Sequence, residues 1–159
     1  MTHQGPENRQ DASDRQGRQR RGEGPDGKKV LCEPDEETDD VARQVIGAAM
    51  EVHRALGPGF LESVYENALC LELGARSLAF VRQAPIAVRY RGSVVGQGQL
   101  DLLVAGCLVV ELKAVDALAG IHTLQLRSYL RATNLLLGLL INFNVPLLRQ
   151  GLRRVILSL

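Results

Sequence analysis

Asp101, Glu111 and Lys113 stand in the segment D-LLVAGCLVV-E-L-K, where two acids and a lysine are set into the most apolar stretch of the chain. Ionised groups in such surroundings are costly unless they pair with one another or bind a cation. Their spacing says how they can meet. A three-residue connection through Ala105, Gly106 and Cys107 pairs Val104 with Leu108 and, counting back, sets Asp101 opposite Glu111. Lys113, two residues beyond Glu111, joins the same face of the sheet. A two-residue turn would instead oppose Asp101 to Val110 and direct Glu111 away, so the chemistry requires an odd loop, for which Gly106 supplies the unusual backbone angle.

Two carboxylates held opposite each other repel, which makes them a poor structural pair and a good cradle for a hard divalent cation. Mg²⁺ (or Mn²⁺) takes carboxylate and backbone oxygens and keeps waters for exchange with substrate. Lys113 beside it can position or deprotonate a water and offset charge developing on a phosphate. The competing reading is an ion triad in which Lys113 bridges the two acids for structural reasons alone. Spacing leaves both open.

The elements that must position these residues follow from periodicity. Val41, Val45, Ala48, Ala49, Val52 and Leu56 recur at helical spacing, with Asp39 and Asp40 suited to the helix start and Gly57-Pro58-Gly59 to its end. A second helix is expected from near Phe60 to about Gly74. The period then changes to two. Ile86, Val88 and Tyr90 alternate with Ala87 and Arg89, Arg91-Gly92-Ser93 makes a turn, and Val94-Val95 opens the next strand. Leu100 to Val104 and Leu108 to Leu112 read as a hairpin, Ile121 to Ala132 as a helix, Leu135 to Phe143 as a covered strand, and Val155-Ile156-Leu157 as an optional last strand. The expected class is α/β (α+β) in three layers, with a central mixed sheet of 4–5 strands flanked by helices in the order ααβββαβ(β).

Composition narrows the setting. At 159 residues with no Trp and 4% aromatics, the chain must pack an aliphatic core. Residues 1–38 are expected to be a disordered polar tail, since residues 1–29 hold almost nothing apolar to bury, and 39–159 one folded domain. Residues 41–159 hold 12 Lys/Arg against 7 Asp/Glu, a surplus that suits nucleic acid and is equally that of an ordinary solvated surface. Cys32, Cys70 and Cys107 have neither disulfide nor zinc spacing, and His3, His53 and His122 add no ligand pattern. The longest apolar run, Leu135 to Ile141, is far short of a membrane span. A soluble cytoplasmic protein without a membrane partner is expected.

Further candidates lie outside the hairpin. Glu62 falls in the first turn of the second helix, where the helix dipole favours an anion, so a carboxylate there has a bland explanation as well. Tyr65 lies one turn on and serves core packing equally well. Gln125 and Tyr129, four apart, share one helix face, while Arg127 and Arg131 form a separate stripe suited to phosphates or to plain exposure.

D-x(9)-E-x-K resembles the signature of the PD-(D/E)XK nuclease superfamily, and Gly59-x-x-Glu62-x-x-Tyr65 within LGPGFLESVYENAL resembles the motif of the GxxExxY protein family. The similarity continues through RQAPIAVRYRG, VVELKAV, QLRSYLRAT and LGLLINF. It implies a restriction-endonuclease-like core with the superfamily's acids at Glu62, Asp101 and Glu111 and its lysine at Lys113. The QLRSY segment resembles the Gln/Tyr element of RecB-like members, which implies that Gln125 orients water or phosphate and Tyr129 supports it. Gly96-Gln97-Gly98-Gln99 departs from the family pattern, which carries a basic residue just before the aspartate.

The leading expectation is therefore a metal-dependent nuclease acting on DNA or RNA, with Glu62, Asp101 and Glu111 at the metal and Lys113, Glu62, Gln125 and Tyr129 in catalysis. The rival is a non-catalytic module on the same fold that grips nucleic acid or a protein; an intact D…ExK set favours chemistry.

Overall fold

A computed structural model describes residues 33–158. The expected disordered tail lies mostly outside that range, and its expected limit at residue 38 falls inside the first helix, α1 (Glu36–Leu56). The Asp35 carboxylate accepts the Thr38 N–H at 2.8 Å, and Glu36, Glu37 and Asp39 put negative charge on the helix N-terminus. Capping by Asp35 thus starts the helix earlier than the Asp39-Asp40 pair suggests. At its other end Gly57 takes φ 67° and returns its N–H to His53 O. The chain then enters α2 (Glu62–Ala75).

Five strands follow in the spatial order β1-β2-β3-β4-β5: β1 (Phe80–Tyr90), β2 (Ser93–Val104), β3 (Leu108–Lys113), β4 (Leu137–Asn142) and β5 (Leu152–Ile156). All neighbours are antiparallel except β3 and β4, which run parallel. A parallel pair needs a crossover, and α3 (Gly120–Thr133) provides it. A single turn of helix, α4 (Leu148–Gly151), joins β4 to β5 and was not expected from the sequence. Among the described residues the fold is α+β with a five-stranded mixed sheet and four helices, consistent with a restriction-endonuclease-like core.

Two apolar cores make the layers. One packs Val45, Ala49, Tyr65 and Leu69 of α1 and α2 against Leu102, Val110 and Leu139; the other packs Leu126 and Leu130 of α3 against Ile86, Leu100, Val109 and Leu140. Both faces of β3 and β4 are covered, which is why they read as unbroken apolar runs rather than alternating ones. Each fully buried Leu here contributes roughly 2–3 kcal/mol.

Leu100 and Leu102 belong to opposite cores although they are two residues apart on one strand. The cause lies across the ladder, where Arg82 pairs with Leu102 and Ala84 with Leu100, and the intervening Gln83 takes φ 48°. This kink in β1 turns the ribbon's face over beside Asp101. Beyond that point Ala84, Ile86 and Leu100 lie over α3.

Candidate metal centre and active site

The β2–β3 turn is built as the spacing requires. Val104 pairs with Leu108, Leu103 with Val109 and Leu102 with Val110, and Ala105 and Gly106 both take positive φ, 50° and 67°. One step further Asp101 meets Glu111, and there the backbone ladder gives way to side chains. The Asp101 N–H points to Glu111 Oε1 at 3.4 Å, and the Leu112 N–H donates to Asp101 Oδ2 at 2.8 Å. Each acid thus accepts a backbone N–H of the other strand.

This closeness is electrostatically strained. Glu111 is only 4% exposed. Burial, followed by the charge of Asp101, pushes its carboxyl up to about 8, against the opposing pull of Lys113. Glu62, in the first turn of α2, is half-buried, and its carboxyl is raised by burial and by Asp101 and Glu66, with Lys113 acting the other way. Asp101 of β2 and Lys113 of β3 thus bear on both Glu62 of α2 and Glu111 of β3. Among the described residues Lys113 belongs to no ion pair; the pairs are Arg43–Asp40, Arg54–Glu51, Arg76–Glu72, Arg82–Glu66 and Arg154–Asp39. A structural triad bridged by Lys113 is therefore not what the side chains form.

The donor set suits a hard cation, since it consists of carboxylates with no thiol or imidazole among them. Among the described residues, no three or more His, Cys, Asp or Glu side chains are closed up as a ready-made cage. Mutual repulsion works against closing such a set without its cation.

Gln125 and Tyr129 meet each other, Gln125 Nε2 donating to Tyr129 Oη at 2.9 Å. Gln125 is exposed, and the structure gives neither side chain a hydrogen bond to Glu62, Asp101, Glu111 or Lys113. The Tyr129 ring edge instead lies against Gly98 of β2, so that a Cβ there would come within 3.3 Å of it. Tyr65 is a packing residue with an anchored hydroxyl. Its ring stacks on Phe143 at 4.5 Å, while its hydroxyl donates to Gly57 O and accepts the Phe60 N–H. Those bonds hold the loop that leads into Glu62. His53 bonds Val145 O through Nε2, a helix-end contact.

Two supporting residues escaped sequence reasoning. Glu66, 8% exposed, accepts from Arg82 Nε at 3.1 Å and Gln83 Nε2 at 2.9 Å, and so clamps the kink that faces Asp101. The nearly inaccessible Asn142 accepts the Val115 N–H and donates to Val115 O, holding the chain just past Lys113, while the Phe143 N–H donates to Lys113 O. A polar residue ending the apolar run LGLLIN was the available signal for Asn142. Nothing local marks Glu66, whose partners come from β1.

A fold of this class, with paired acids and a lysine at the end of a central strand, agrees with the comparison of families. The model of the PD-(D/E)XK nuclease superfamily matches residues 39–155, and the chain belongs to that superfamily. No curated protein and no solved structure gave a match. None of the described helices is long and apolar enough to cross a membrane.

Proposed function

We propose that this chain is a metal-dependent nuclease that hydrolyses phosphodiester bonds of nucleic acid, in the GxxExxY branch of the superfamily and with a RecB-like Gln/Tyr element. The observation that carries the reading is the placement of Asp101 against buried Glu111 with Lys113 nearby and, among the described residues, in no ion pair. A protein gains no stability from that arrangement alone, whereas a cation among the carboxylates removes the repulsion.

Asp101 and Glu111 would hold the ion, with Glu62 completing the set from α2. Mg²⁺, or Mn²⁺ in its place, supplies charge neutralisation at a phosphoryl oxygen and a water of lowered pKa when bound. Lys113 directs its ammonium at the attacking water and the developing phosphate charge. Gln125, held by Tyr129, offers its amide to water or phosphate from the α3 side. Asn142 holds the chain just past Lys113, and Glu66 clamps the bend of β1 across from Asp101. A cytoplasmic setting suits a chain with free Cys70 and Cys107.

The test is incubation of the purified protein with labelled single- and double-stranded DNA and RNA, with Mg²⁺, with Mn²⁺ and with chelator. Cleavage that needs metal and disappears in Lys113→Ala supports the proposal. Binding without cleavage in every metal condition leaves the non-catalytic module instead.

A further inference from the structure

The β1–β2 hairpin is longer than the sheet requires. β2 pairs with β3 only over Leu102–Val104, so from Asp101 onwards the two strands leave the sheet as a ribbon. Its near part is anchored over α3 through Ala84, Ile86 and Leu100. From Ala87 to Gln97 every residue is exposed, among them Val88, Tyr90, Val94 and Val95. Aliphatic and aromatic side chains on a free ribbon require a reason.

Its charge narrows the choice of partner. Between Glu72 and Asp101 the chain has no acidic residue, and of the arginines in that interval Arg82 is already matched by Glu66. Arg89 and Arg91 have no carboxylate partner among the described residues; Arg91 lies over the Tyr90 ring at 5.4 Å. At the ribbon's base a groove of about 640 Å³ runs between Arg89 and Arg131 of α3, floored by Ile86 and Leu100. The arm is therefore cationic without compensation, and it starts at Asp101.

We infer that this ribbon is an arm that docks in the major groove of duplex DNA and brings the duplex to the Asp101–Glu111 site. The inference rests on the nuclease reading and adds a substrate class to it. Two strands about 4.8 Å apart with their side chains fit a groove about 12 Å wide. The deep, narrow major groove of duplex RNA does not admit them. Arg89 and Arg91 contact phosphates, while Tyr90, Val94 and Val95 provide the apolar contact with the groove.

The experiment measures anisotropy of a labelled duplex DNA, its single strand and the matching duplex RNA, in chelator so that nothing is cut, across a salt series. Wild type is expected to prefer duplex DNA. Arg89→Ala/Arg91→Ala should weaken that binding about tenfold and lower the slope of log affinity against log salt by about 2, one phosphate contact per arginine. Arg89→Lys/Arg91→Lys should keep most of the slope. Unchanged duplex binding in the alanine variant, or equal affinity for all three probes, overturns the inference. So does sedimentation showing that Tyr90→Ser/Val95→Ser breaks a dimer while DNA affinity stands, since the arm then joins two copies. Wild type that binds duplex DNA through these arginines but never cleaves it overturns the nuclease reading and leaves the arm intact.

Discussion

Replacing Glu111 by Gln removes the charge that the site holds under strain, and the consequence should be visible in the metal-free protein. The Glu111 carboxyl ordinarily titrates at 4.5 and in the folded protein is pushed up to about 8 by burial and by Asp101. Between those two values the folded protein keeps a proton that the unfolded chain has released. Stability must therefore fall as pH rises through the window; the penalty is absent below it and complete above it. At about 1.4 kcal/mol per pH step, the gap corresponds to about 5 kcal/mol. Glu111→Gln has nothing to lose in that window, and its amide keeps the shape and a donor towards Asp101. Urea unfolding in chelator at a series of pH values should show wild type declining relative to Glu111→Gln by about 3–5 kcal/mol from the acid to the alkaline end. Mg²⁺ at 100 times its dissociation constant should restore about 2.7 kcal/mol to wild type and much less to the variant. Parallel pH profiles for the two proteins would refute the reasoning, because Glu111 could not then be buried against a charged Asp101.

Asp101→Asn should abolish cleavage while leaving metal-free stability equal or higher, which unfolding and a cleavage assay check together; a loss of about 3–5 kcal/mol would mean a structural ion cluster instead. Lys113→Ala should lose metal-dependent cleavage and change stability by less than about 1 kcal/mol, since Lys113 holds no ion pair among the described residues. Tyr65→Phe removes the hydroxyl that ties Gly57 and Phe60, and should cost about 1–2 kcal/mol by thermal unfolding. Gly138→Ala sets a Cβ 2.7 Å from Leu126 Cδ1, and over-packing of about 1–3 kcal/mol should appear in the same measurement.

What the sequence by itself determined is local or periodic. The odd loop followed from requiring Asp101, Glu111 and Lys113 on one face, and the turn adopts it because Gly106 tolerates positive φ at no cost. The hairpin of β2 and β3, the helix α3 and the covered strand β4 followed from runs and repeats whose meaning depends only on near neighbours along the chain. Tertiary structure decided the rest. Gln83 carries no turn signal, yet it adopts φ 48° where Glu66, 17 residues away, accepts its side-chain amide. That kink sends Leu100 and Leu102 into opposite cores and detaches the ribbon at Asp101, none of which alternation on β2 predicts. The approach of Glu62 to the acids likewise depends on how α2 packs against the sheet. Its carboxyl feels Asp101 and Lys113 across long stretches of chain, and burial, which no spacing rule counts, is the largest influence on it.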